Sequence, residues 1–116
     1  MPLRYAVLHH TGIAAPHFDL MFETHEASDL ATWRLPAWPI HARMVTTRLK
    51  DHRRAYLEFE GELMQRRGRV ERVAEGTCGL EIGEDAVWRI RLITGATQQT
   101  LVFHGLGSDE WVVEPA

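Results

Sequence analysis

The stretch Val87-Trp88-Arg89-Ile90-Arg91-Leu92-Ile93 alternates apolar and cationic side chains with a period of two. Successive side chains of an extended chain leave opposite faces, so Trp88, Ile90 and Leu92 turn to a core while Arg89 and Arg91 face water. Such a pattern belongs to an antiparallel strand with one solvated face. Working outward, comparable runs are read at 4–10, 17–23, 30–35, 43–49, 56–62, 68–74, 78–82, 86–93, 99–104 and 110–113. The turns between them include Gly83-Glu84-Asp85, Thr94-Gly95 and Gly105-Leu106-Gly107-Ser108-Asp109, with the glycines that hairpin connections use for positive φ. Residues 24–29 read as a short helical turn, and 36–42, with Pro36 and Pro39, as an irregular connection. Short, evenly spaced strands predict a mostly β fold, a compact antiparallel β-barrel with little helix.

With 116 residues and 45% hydrophobic content, the chain suits one domain over 1–116, within the ~100–150 residues usual for a single core. The one cysteine, Cys78, has no internal disulfide partner, and Met-Pro-Leu-Arg-Tyr at the start lacks the apolar segment of a secretory leader. No apolar run approaches the ~20 residues that a membrane-crossing helix needs. A cytoplasmic protein without a membrane role is the expectation. Charge is unevenly placed. Between Arg43 and Arg72 nine basic residues stand against five acidic ones, a net +4, while the rest of the chain carries −7. That segment reads either as a solvated charged hairpin or as a confined contact with phosphate, the group whose neutralisation by Lys and Arg drives nucleic-acid binding.

In His17-Phe18-Asp19-Leu20-Met21-Phe22-Glu23 the same alternation gives a strand with a chemical face: His17, Asp19, Met21 and Glu23 on one side, Phe18, Leu20 and Phe22 on the other. A His and an Asp side by side form either a structural pair or half of a metal site. His10, at the end of the apolar run 5–8, adds a third ligand. Two imidazoles and a carboxylate with open positions suit Mn²⁺, Zn²⁺ or Fe²⁺. His52 and Tyr56 read either as a turn residue and a core aromatic or as groups facing a substrate.

Three segments resemble the 3′-phosphoesterase domain of bacterial DNA ligase D and its stand-alone relatives. Tyr-Ala-Val-Leu-His-His (5–10) followed by His17-Phe18-Asp19-Leu20 and Glu23 is similar to that family's strand-His-loop-His-aromatic-Asp pattern. Thr32-Trp33-Arg34-Leu35-Pro36 resembles its Ser-Trp-x-x-Pro segment, and Asp51-His52 with Tyr56 and Phe59-Glu60-Gly61 its Asp-His-Pro-x-x-Tyr-x-x-Phe-Glu-Gly segment, the most specific of the three. Together they span 5–61, about half of the chain. His10 aligns with the first family histidine from the strand side, whereas Thr11 falls at the family spacing.

The resemblance implies a metal-dependent phosphoesterase acting on 3′ ends of DNA or RNA–DNA in repair. Its partners would be nucleic-acid 3′ ends and a DNA ligase or other repair protein. His10, His17 and Asp19 would hold the metal, Mn²⁺ by resemblance with Zn²⁺ as the alternative. His52 and Tyr56 would be the catalytic pair facing the phosphate. The family arginine two residues after the Asp is here Met21, so phosphate binding is expected from Arg43, Arg48 or Arg53, and an arginine restored at 21 is expected to raise activity. The other expectation that this departure supports is a non-catalytic relative that binds nucleic-acid ends or a repair partner. The barrel should hold His10, His17, Asp19 and His52 in an interior cleft.

Overall fold

The computed structural model describes residues 2–116. Among them are nine strands and no α-helix: β1 (Leu3–Thr11), β2 (His17–Glu23), β3 (Leu30–Leu35), β4 (Met44–His52), β5 (Gly61–Glu62), β6 (Arg69–Ile82), β7 (Val87–Thr94), β8 (Thr97–Gly105) and β9 (Glu110–Pro115). Eight close an antiparallel barrel in the order β1-β2-β3-β4-β9-β8-β7-β6, and pairing of β1 with β6 seals it. The short β5 adds to the start of β6 from outside this ring. Closure leaves no long edge of unpaired amides, which is how an all-β domain of this size avoids edge-to-edge association.

Trp33 is fully buried at the centre of the interior, with Phe22 stacked at 5.4 Å and Phe103, Trp88 and Trp111 at 4.6, 5.2 and 5.5 Å between ring centroids. Ile90 and Leu92 enter this core and Arg89 and Arg91 are exposed, as the alternation in β7 predicts. The guanidinium of Arg48 lies 4.9 Å from the Trp33 ring and 4.7 Å from that of Trp88, a cation over π faces.

The runs read at 68–74 and 78–82 are one strand, β6. Its first half pairs with β1 and its second with β7. Gly76, in the gap between those two runs, serves close approach: a Cβ there would stand 2.0 Å from the Ile93 carbonyl oxygen. Residues 24–29 form a turn closed by Ser28 N–H to the His25 carbonyl, not a helix.

The run 56–62 is mostly not a strand. After β4 the chain leaves the barrel wall through a 3-10 turn at Arg54–Leu57, pairs only at Gly61–Glu62, and makes a second 3-10 turn at Met64–Arg66. Of this run only Gly61 and Glu62 join the sheet, opposite Val70 and Arg69 of β6. Instead this crossover lies over the outer face of the barrel and buries a second apolar cluster of Ala6, Leu8, Met21, Leu30, Leu57 and Val70. Consequently β2 is buried on both faces. The crossover is pinned by Glu23, whose carboxylate accepts hydrogen bonds from the Arg54 guanidinium and, at 2.7 Å, from the Arg4 amide. Arg54 also donates to the Ser28 carbonyl at 2.9 Å.

Candidate metal centre

Antiparallel pairing of β1 with β2 sets His10 opposite His17, and the pleat returns Asp19 to the same face. One ligand atom from each of the three lies within 4.8 Å of the others. The imidazoles meet edge to face, with centroids 4.9 Å apart. His9 faces away and stacks on Phe18 at 4.2 Å, while Thr11 pairs with Arg69. His10 is therefore the histidine of β1 that joins the cluster.

Carbonyl groups orient both rings. Nδ1 of His17 donates to the Ala15 carbonyl at 2.9 Å, and Nε2 of His10 donates to the Arg67 carbonyl at 2.6 Å. A carbonyl only accepts, so the lone pairs fall to Nε2 of His17 and Nδ1 of His10, the backing that metal-binding histidines ordinarily have. Nε2 of His17 and Oδ1 of Asp19 are buried with no hydrogen-bond partner. Nε2 stands 3.6 Å from Oδ2 of Asp19, too long for the hydrogen bond that a purely structural His–Asp pair would make. A buried lone pair and carboxylate oxygen left unsatisfied cost free energy, and a cation between them removes that cost. The donor set of two imidazoles and one carboxylate fits a divalent transition metal.

The cluster lies on the outer face of the barrel, beside the crossover, and not in an interior cleft. Aromatic side chains fill the interior, and His10, His17 and Asp19 have the outward phase of their strands. A cavity of about 170 Å³ opens there, with His10, Asp19, Arg34, His52, Tyr56 and Arg67 on its polar walls. His52, at the end of β4, donates from Nδ1 to the Lys50 carbonyl at 3.0 Å, which leaves Nε2 free. The Tyr56 ring stands 5.5 Å from it. Gly68 lets the crossover close against this corner: its φ is +84°, and a Cβ would lie 2.2 Å from the Thr11 carbonyl oxygen.

Of the three arginines expected to hold phosphate, none lines this cavity. Arg43 is 3.9 Å from Glu114, Arg48 covers the tryptophans, and Arg53 lines a neighbouring cavity. The cations at the centre are Arg34 and Arg67. Arg34 is the cross-strand partner of Asp19, with Nε 3.5 Å from Oδ1. It could have been found by continuing the Glu23–Leu30 hairpin register back to Asp19. For Arg67, in an irregular loop, the sequence carries no such signal. Met21, at the family arginine position, is fully buried in the outer apolar cluster. Cys78 is buried, and burial with the nearby Glu23 charge pushes its thiol up to about 12, which disfavours the thiolate. Comparison with models of known protein families and with curated proteins finds no match to this chain.

Proposed function

We propose that the protein is a metal-dependent phosphoesterase acting on 3′ ends of nucleic acid, with His10, His17 and Asp19 as the metal ligands. The observation that supports this best is the pair of orphaned buried atoms, Nε2 of His17 and Oδ1 of Asp19, together with the cavity that Asp19 shares with His10, His52, Tyr56 and two arginines. A divalent ion held there would supply Lewis-acid polarisation of a phosphate oxygen. Mn²⁺ follows from the ligase D resemblance, and Zn²⁺ suits the same donors.

The side chains divide the remaining work. Arg34 and Arg67 offer guanidinium donors to the non-bridging phosphate oxygens, the part that a residue at position 21 plays in the family. His52, oriented by the Lys50 carbonyl, would in its imidazolium form present Nε2–H to the leaving oxygen, protonating it as water attacks phosphorus and the P–O bond breaks, or stabilising the charge that develops on it. Tyr56 donates its hydroxyl hydrogen to the same phosphate. The net +4 of the segment 43–72 favours approach of a polyanion, and a DNA ligase or other repair protein would be the natural consumer of a cleaned 3′ end.

A buried Met21 in place of the family arginine favours a second reading, a non-catalytic module that binds nucleic-acid ends or a repair partner. Metal analysis followed by turnover on DNA ending in a 3′-phosphate or a 3′-ribonucleotide separates the two. Metal binding that is lost in Asp19→Ala, together with turnover, is the expected result. Metal binding with no hydrolysis of either end would leave the binding module, and absence of metal binding would remove both the centre and the mechanism built on it.

A further inference from the structure

We infer that the cavity next to the metal centre, on the outer side of the crossover, is a subsite for the nucleobase of the nucleotide whose phosphate the centre takes. The inference rests on the phosphoester reading above and specifies how its substrate is recognised. The cavity measures about 260 Å³, and Tyr56, Leu63 and Arg67 line both it and the metal-side cavity. A ligand with its anionic group among His10, Asp19 and Arg34 therefore has its adjoining atoms led across this common wall.

The remaining walls suit a flat heteroaromatic ring. Phe59 and Tyr56 both line the cavity, their rings perpendicular with centroids 6.0 Å apart. Met64, 78% exposed, adds a large apolar side chain to the walls of the cavity. Arg53, which makes no ion pair among the described residues, and Glu62 add a donor and an acceptor for base edges. The groove on the opposite flank, lined by His17 and Arg34, is larger, about 440 Å³, but has no Phe, Tyr or Trp in its walls. Stacking on aromatic side chains and arginine planes is the sequence-tolerant way to hold a base.

The test is calorimetric titration of the Mn²⁺-loaded full chain with three probes: thymidine 3′-phosphorothioate, its base-free deoxyribose counterpart, and inorganic phosphate. The base should raise affinity by about 5- to 150-fold, the range for stacking one base on an aromatic side chain. Phe59→Ala should remove most of that increment and leave inorganic-phosphate affinity and metal content unchanged. Met64→Ser, at an exposed position that folding does not depend on, should reduce it in the same selective way. Equal affinity for the base-bearing and base-free probes, or an increment that survives both substitutions, would overturn the subsite while leaving the phosphoesterase reading intact. Failure to bind metal and inorganic phosphate would overturn both.

Discussion

Asp19 on β2 and Arg34 on β3 face each other directly across the hairpin, with Nε of the guanidinium 3.5 Å from Oδ1 of the carboxylate. At that distance the pair attracts without forming a tight hydrogen bond. The Arg34 side chain is 44% exposed whereas that of Asp19 is 9% exposed, so the cation can turn to an incoming anion while the carboxylate stays fixed. A buried anion beside a solvent-facing cation suits a site that holds a metal and receives a phosphate.

Replacing Arg34 with Gln removes the charge and shortens the side chain while keeping an amide donor at its end. Turnover of a 3′-phosphate DNA end should fall by about 10²-fold or more, the scale of losing one donor to a charged transition state. Metal content should stay the same. Turnover within a factor of two of the native protein would show that Arg34 only balances the Asp19 charge.

The outcome expected of Met21→Arg reverses once burial is considered. From the alternation alone, position 21 shares the face of His17 and Asp19, and a guanidinium there looks like a gain. Met21 is 0% exposed, however, within the Leu8, Leu30, Leu57 and Val70 cluster. A charge there must either be desolvated or lift the crossover, and the expected loss of stability is on the order of 3 kcal/mol. Thermal unfolding measures this directly: the variant should melt well below the native protein and should not gain activity.

How far the sequence could be read follows from this same contrast. Alternation exposed β2 and β7, and with β2 the shared face of His17 and Asp19, while short apolar runs between turn residues marked the other strands of the barrel, because both signals are local. What was hidden depends on non-local packing. The crossover covers the outer face of β1 to β3, so residues on the outward phase of β2 are buried like those on the inward phase. Two-sided burial makes inside and outside indistinguishable by pattern, and for that reason an outer-face site reads as an interior cleft. Arg34 was legible through register, whereas Arg67 depends on a loop whose path no periodicity encodes.

Glu23 gives the crossover a pH dependence. Burial pushes its carboxyl up, but hydrogen bonds from Arg54 and the Arg4 amide, reinforced by both charges, outweigh this and hold it below the ordinary value of 4.5. A carboxylate whose folded pKa is depressed stabilises the fold fully above its unfolded pKa and loses that contribution as pH falls through the folded value. The native melting temperature should therefore drop below about pH 4.5. Glu23→Gln should be less stable at neutral pH, by about 1–3 kcal/mol for a lost charge-assisted hydrogen bond, and its melting temperature should fall less steeply with acid. A variant whose acid limb overlays that of the native protein would place the acid sensitivity elsewhere.

His52 is the residue on which the catalytic reading turns. It lies outside the metal trio, and its Nδ1–H is committed to the Lys50 carbonyl at 3.0 Å. The nitrogen left for chemistry is Nε2, on a ring that lines the cavity with Asp19 and Arg34. Truncation to Ala should lower single-turnover hydrolysis of a 3′-phosphate end by about 10²-fold or more, as expected for a lost acid or charge-stabilising group. Metal content should be unaffected, in contrast to Asp19→Ala, which should lose both. Tyr56 stands behind the same ring, so Tyr56→Phe separates packing from hydrogen bonding: packing alone predicts native turnover, whereas a hydroxyl on the phosphate predicts a loss. If His52→Ala hydrolyses the end at the native rate while binding the same amount of metal, His52 is not the acid, and the cleavage mechanism drawn from this cavity does not hold.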